Sequence, residues 1–162
     1  MTKAKTAIVT GATSGIGAAI SRSLVAAGYN VMMAGRRSQK LDASADALGS
    51  TASFVTTDVS QISDMRSLVV RTNAMFGPVD VLINNAGIMP ISLYASRMVQ
   101  DWDRMIDVNL IGTLYGIDAV LPQMIEHQSG HIVNVASIAG LGTGPAFGGY
   151  SATKSGVRML SE

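Results

Sequence analysis

Five short apolar runs, each followed by a stretch of helical character, limit what this chain of 162 residues can fold into. The runs fall near 6–10, 31–34, 53–57, 79–84 and 131–135, and helices are expected near 15–28, 38–48, 61–76, 101–127 and from about 149 onward. Short continuous apolar runs suit strands buried on both faces, and strands joined by helices require right-handed crossovers that cover a parallel sheet on both sides. The expectation is therefore an α/β, doubly wound fold in a single domain over 1–162. No repeat, low-complexity tract or linker interrupts it, and Phe76-Gly77-Pro78 reads as a helix stop before the fourth strand.

The turn after the first run carries the first chemistry. Thr6-Ala7-Ile8-Val9-Thr10 passes directly into Gly11-Ala12-Thr13-Ser14-Gly15-Ile16-Gly17 and then a helical stretch. Glycines there let a diphosphate approach the backbone, free N–H groups at the helix N-terminus face the anion, and Thr13 and Ser14 add hydroxyl donors. The spacing G-x-x-x-G-x-G differs from G-x-G-x-x-G, and no lysine follows Gly17, which disfavours the P-loop and ATP or GTP chemistry.

A second constellation lies near the other end. Tyr150 and Lys154 stand four residues apart, on one face if the segment is helical, and Ser137 lies thirteen residues before Tyr150, just past the fifth apolar run. A neighbouring ammonium favours an ionised phenol, so the pair reads as a general acid/base. Alone, a Tyr-x-x-x-Lys spacing is more often a surface coincidence. The strand, glycine loop and serine around it are what argue against coincidence here.

Taken together these motifs resemble the short-chain dehydrogenase/reductase family, in its NADP-preferring alcohol dehydrogenase-like branch. The resemblance rests on Thr10 to Gly17, Asp58-Val59 after the third strand, Asn84-Asn85-Ala86-Gly87 after the fourth, Asn109 in a helix, Ser137, and Tyr150 with Lys154, and it runs from about residue 5 to the last. It implies a Rossmann-type sheet in the order 3-2-1-4-5. It also implies that Gly11, Thr13, Ser14, Gly15, Ile16 and Gly17 hold the cofactor phosphates, that Asp58 and Val59 meet the adenine, and that Asn85, Ala86 and Gly87 back the adenosine ribose. For Asp58 a helix-capping role stays open.

The end of the second strand addresses the cofactor. An acidic residue near that position commonly holds the ribose hydroxyls of NAD, but Gly35 stands there, eighteen residues after Gly17, followed by Arg36 and Arg37. With no carboxylate to repel a 2′-phosphate and two guanidinium groups able to bind one, NADP(H) is expected and NAD is the lesser alternative. By the same resemblance Tyr150 exchanges a proton with the substrate oxygen, Ser137 holds that oxygen, Lys154 binds the nicotinamide ribose and stabilises the tyrosinate, and Asn109 positions a water that resupplies protons. The expected substrate is a small-molecule secondary alcohol or its ketone or aldehyde.

Two other readings stay in view. A sugar-nucleotide epimerase or dehydratase shares Tyr-x-x-x-Lys but favours G-x-x-G-x-x-G, which is missing here. A catalytically silent dinucleotide-binding or interaction module gains weight because members of the family continue beyond the point where this chain stops at Glu162. On that basis the domain is expected to be incomplete at its C-terminus, with the fifth strand an uncovered edge, the last helix cut short, and the chain weakly stable or associated.

The remaining features exclude more than they suggest. A net charge of +1 without a dense basic run argues against nucleic acid, and the absence of cysteine excludes disulfides and thiol chemistry, with a lean toward the cytoplasm. Met1-Thr2-Lys3-Ala4-Lys5 leads into a strand with no signal peptide, and Leu110 to Ile125 is broken by Gly112, Gly116, Asp118 and Pro122, so no membrane partner is expected. His127 and His131 are expected to be exposed, with no metal. Met89, Met98, Met105 and Met124 are expected in the core or a pocket and Trp102 on the sheet or a pocket rim. A homo-oligomer, dimer or tetramer, is the expected assembly.

Overall fold

The computed structural model describes residues 4–162; Met1, Thr2 and Lys3, part of the segment read above for a signal peptide, lie outside the described residues. Five strands, β1 (Thr6–Thr10), β2 (Asn30–Gly35), β3 (Ala52–Thr56), β4 (Val81–Asn84) and β5 (His131–Asn134), form one parallel sheet in the order β3-β2-β1-β4-β5. The helices are α1 (Gly15–Ala26), α2 (Ser38–Leu48), α3 (Ile62–Phe76), α4 (Val99–Met105), α5 (Gly112–Glu126) and α6 (Gly148–Met159). The Rossmann-type order and the helical crossovers match the sequence reading.

Alternation along the strands divides the core. Ile8, Met32 and Leu82 lie side by side in register and bury with Met65, Leu68, Val120 and Met124 of α3 and α5. Their neighbours Val9, Met33 and Ile83 turn the other way, to Leu41 and Ala45 of α2 and Ile20 and Leu24 of α1. Period-two side-chain direction thus serves both faces, which is why the runs show no polar alternation.

Boundaries moved where burial and ladder pairing part company. Val79 is buried, as the apolar run from 79 implies, but pairing in β4 begins at Val81, because Asp80 turns its carboxylate to the Thr6 N–H at 2.8 Å. Gly77, at φ +93°, ends α3 with its N–H on the Asn73 carbonyl. That is the stop expected from Phe76-Gly77-Pro78.

The largest departure is the helix expected over 101–127. Helix α4 runs through a π-helical segment, Ile106–Ile111, into α5, giving a continuous span from Val99 to Glu126 of 28 residues. By its length, and by a mean hydropathy of 1.2 over an 18-residue stretch within it, that span would suit a bilayer, despite the polar breaks in Leu110 to Ile125. Here it lies on the sheet, burying Val108, Val120 and Met124 in the core. Helix α6 is fastened by its own hydroxyls: Ser155 Oγ donates to the Gly140 carbonyl, and Ser161 just beyond the helix accepts from Asn134 Nδ2 on β5.

Candidate functional site

A cleft of about 540 Å³ opens beyond the carboxyl ends of the central strands. It is lined by Gly11, Thr13, Ser14, Gly15 and Ile16 from the first turn, Arg36 and Arg37 after β2, Asp58 and Val59 after β3, and Asn85, Ala86 and Gly87 after β4. All of these are expected from the sequence, whereas Thr57, Ile88 and Val108, which also line the cleft, are not. Gly17 does not line it.

The glycines of the turn serve different ends. Gly15, at φ +55°, has nothing within 4 Å of where a Cβ would stand, so its backbone is open to the cleft. Gly11, at φ +66°, would drive a Cβ to 2.8 Å from Ala86 Cα. Gly17 would drive one to 2.4 Å from the Gly11 carbonyl oxygen. The last two are small so that β1, its loop and the β4 turn can close on each other. Of the three, Gly15 alone has open space at its Cβ position, while Gly11 still lines the cleft through its backbone.

Thr10, which opens the glycine motif but carries no assigned role in the sequence reading, holds that closure. Its hydroxyl accepts from the N–H groups of Asn85 and Ala86, at 3.0 and 3.1 Å, while Asn85 Nδ2 donates to the Thr10 carbonyl at 2.9 Å. Its position as the last residue of the first apolar run was the available signal, since a buried polar side chain at a strand end calls for a partner.

At the mouth of the cleft, Arg37 donates through Nη2 to Thr13 Oγ1 and, at 2.9 Å, to Ser14 Oγ. Arg36 is exposed on the same wall. Asp58 accepts at Oδ1 from the Ser60 hydroxyl at 2.7 Å and the Ser60 N–H at 3.1 Å, and its own N–H donates to Asp64 Oδ2. Partial burial pushes its carboxyl up, but the two Ser60 bonds and the charges of Arg36 and Arg104 outweigh that and hold it below the ordinary value. The residue that caps α3 is Gln61, so Asp58 forms a turn ahead of the helix.

The second constellation lies beside the Gly87 end of the cleft. Lys154 is 5% exposed, donates from Nζ to the Val135 carbonyl at 2.6 Å, and lies 6.0 Å from the centre of the Tyr150 ring. Burial pushes its pKa down from the ordinary 10.5. A Cβ on Gly87 would meet Asn109 Oδ1 at 3.3 Å and Lys154 Nζ at 3.6 Å, so the amide and the ammonium flank this one glycine.

Asn109 is wholly buried inside the π segment and finds its side-chain partners outside that helix, on the loop after β4 and on α6. Its Oδ1 accepts from the Ile88 N–H at 2.8 Å, and its Nδ2 donates to the Ile88 carbonyl at 2.9 Å and to Thr153 Oγ1 at 3.1 Å. Thr153 in turn donates to the Tyr150 carbonyl at 2.8 Å. A polar chain therefore runs from the β4 loop through Asn109 and Thr153 to the backbone of Tyr150. Thr153 is a second residue the sequence reading missed; it sits inside Tyr150-Ser151-Ala152-Thr153-Lys154, where attention went to the ends.

Ser137 accepts at Oγ from the Ala139 N–H at 3.1 Å and caps the 3-10 turn Ile138–Gly140, which leaves its hydroxyl hydrogen free for another acceptor. Of the remaining expectations, His127 and His131 are exposed, Met105 and Met124 are buried, and Met89 and Met98 are exposed on the segment after β4. Neither Met89 nor Met98 joins a core cluster of the sheet, unlike Ile88 just before them, which packs against one.

A family model described as short chain dehydrogenase matches residues 5–162. The chain belongs to the short-chain dehydrogenase family. An uncharacterised oxidoreductase of Staphylococcus aureus strain MW2 is 42% identical over 159 residues, which cover 98% of this chain and 69% of the relative. Among solved structures, serine dehydrogenase from Escherichia coli superposes with a TM-score of 0.92 at 36% identity, covering 96% of this chain and 73% of that one. A closed form of serine dehydrogenase complexed with NADP+ gives a TM-score of 0.92 at 36% identity, covering 96% and 63%. As a short-chain dehydrogenase, the chain is of an oxidoreductase family that binds NAD(P) and acts on small molecules. The cleft at the switch point of its sheet offers open backbone at Gly15, the hydroxyls of Thr13 and Ser14 joined through Arg37, and cationic side chains at the rim.

Proposed function

We propose that this chain is an NADP(H)-dependent oxidoreductase interconverting a secondary alcohol and a ketone, or handling an aldehyde, with Tyr150 as general acid/base. The observation that carries the reading is Lys154, a buried ammonium that flanks Gly87 and stands 6.0 Å from the Tyr150 ring. A buried cation without a carboxylate partner is costly to hold, and an acid/base phenol beside it is a reason to hold it.

Gly11, Thr13, Ser14, Gly15 and Ile16 would hold the diphosphate, with Gly17 closing the turn beneath them. Asp58 and Val59 would meet the adenine, and Asn85, Ala86 and Gly87 the adenosine side. Arg36 and Arg37 would take a 2′-phosphate, and the NADP+ in the solved relative supports that choice. When bound, the nicotinamide supplies a hydride in one direction and accepts it in the other.

In the reductive direction Tyr150 gives its phenolic proton to the carbonyl oxygen as negative charge develops there. Lys154 stabilises the phenolate left behind. Ser137 donates its hydroxyl hydrogen to the same substrate oxygen while one of its lone pairs accepts from the Ala139 N–H. Asn109 and Lys154, on either side of Gly87, hold the water through which Tyr150 recovers a proton. Residues 1–162 would form a single dinucleotide-binding domain of an enzyme that works in the cytoplasm as a homo-oligomer.

Calorimetric titration with NADPH and NADH tests the cofactor reading. Saturable NADPH binding with NADH at least tenfold weaker is the expected result, and binding of neither would refute it. NADPH binding without oxidation of NADPH by any ketone or aldehyde would favour a silent dinucleotide-binding module.

A further inference from the structure

The segment between Gly87 and α4 is more apolar than its exposure suits. From Ile88 to Val99 its only charged residue is Arg97, and Met89, Ile91, Leu93, Tyr94, Met98 and Val99 are all exposed. This surface is continuous with the candidate site at both ends. Ile88 lines the dinucleotide cleft and is fixed by both of its backbone bonds to Asn109. Tyr94 lies against the first turn of α6: a Cβ on Gly148 would stand 2.1 Å from the Tyr94 hydroxyl oxygen and 2.8 Å from Cζ. Gly148 is two residues before Tyr150.

A second layer supports the ring. Tyr94 meets Trp102 edge to face, with ring centres 5.5 Å apart and planes at 75°, and a Cβ on Gly149 would meet Met105 Cε at 3.0 Å and Trp102 Cδ1 at 3.6 Å. Two consecutive glycines therefore let an aromatic pair close on the helix start that carries the acid/base. Yet Tyr94 remains 63% exposed, so one side of the ring is held and the other faces open space.

We infer that Tyr94 is a specificity-determining residue, and that the apolar segment from Met89 to Val99 receives the hydrocarbon portion of an extended, uncharged carbonyl or alcohol whose oxygen lies at Tyr150. The inference rests on the oxidoreductase reading above. It sets this chain apart from an enzyme for a small charged hydroxy acid, because a carboxylate placed against this wall would lose hydration among methionines, leucine and isoleucine with one cation to answer it.

Trp102 is the only tryptophan in the chain and touches Tyr94, so its emission reports the site without any turnover. With NADP+ present, titration with 2-butanone, 2-hexanone and 2-octanone is expected to change Trp102 emission with an affinity that rises about fourfold per methylene. L-serine is expected to give no saturable change. Tyr94→Phe should keep the chain-length increment and Tyr94→Ala should lose most of it. Gly148→Ala, at a helical position where alanine is the better helix former, should lose it by displacing the ring without unfolding the chain. A chain-length increment unchanged in both Tyr94→Ala and Gly148→Ala overturns the inference, as does tighter binding of L-serine than of 2-octanone. NADP+ binding with a flat ketone series sinks this proposal alone, whereas failure to bind NADP+ sinks the oxidoreductase reading and this one with it.

Discussion

The two ends of the candidate site are built differently. At the Arg37 end, the groups that meet solvent hold one another: a guanidinium on two hydroxyls, and a carboxylate on one serine, within short loops that follow β1, β2 and β3. At the Lys154 end, the groups are buried and drawn from distant parts of the chain, with Asn109 joined to Ile88 across 21 residues and to Thr153 across 44. An exposed end of loops can be retuned one residue at a time. A buried end couples chemistry to stability, so that changes there disturb both.

The largest expected effect tests the buried end where it is proposed to be most chemical. Tyr150→Phe removes one hydroxyl from a half-buried residue and leaves the cofactor cleft untouched. Turnover is expected to fall by about 10³-fold, within the range for losing a general acid/base, with the NADPH dissociation constant unchanged. Steady-state rates beside calorimetric binding would measure the two separately. Retention of a tenth of the activity would remove Tyr150 from the role.

Next comes the stability side of the same end. Asn109→Ala leaves the partly buried N–H and carbonyl of Ile88 without their side-chain partner and removes the buried donor to Thr153 Oγ1, which keeps its own bond to the Tyr150 carbonyl. Unsatisfied buried groups cost about 1 to 3 kcal/mol each before relaxation, so a loss of roughly 3 kcal/mol is expected, read as a lower urea midpoint at constant slope. A midpoint within error of the parent would mean that the polar chain is dispensable to the fold.

At the exposed end, by contrast, Arg36→Asp should leave the urea midpoint nearly unchanged. It should weaken NADPH binding by ten- to a hundredfold, the scale of one charge-assisted hydrogen bond turned to repulsion, and alter NADH binding by less than threefold. Equal losses for the two cofactors, measured in the same titration, would dismiss the 2′-phosphate assignment and narrow the difference between the ends.

This contrast also explains what could be read from the chain in advance. The sheet order and crossovers followed from apolar runs alternating with helical stretches, because a parallel strand and its helix are local patterns. The exposed end was legible for the same reason: each of its loops directly follows a strand, and the residue types announce phosphate chemistry. Asn109 was legible as an amide out of place in a helix, but its partners were not, since the Ile88 backbone and the Thr153 hydroxyl become neighbours only through the tertiary fold. The π segment that carries it left no mark in the hydrophobic pattern. Gly17 and Gly11 resembled phosphate-cradling glycines, yet their contacts show that close approach of β1 and the β4 turn is what forbids a side chain there.

The smallest effect is the most diagnostic of the buried end. Lys154 has a folded-state pKa pushed below its ordinary 10.5 by burial, so between that lowered value and about 10.5 the unfolded chain binds a proton that the folded chain has released. Stability contributed through Lys154 must therefore rise with pH across that interval, with a ceiling of about 1.4 kcal/mol per pH unit for one proton, and below the interval the burial penalty is fully present and constant. Lys154→Met has no proton to release. The unfolding free energy of the parent, measured against this variant by urea titration at stepped pH, is thus expected to gain on the variant as pH climbs toward 10.5. A difference independent of pH would mean that the ammonium is solvated in the folded protein, and the buried end of the site would then resemble the exposed one.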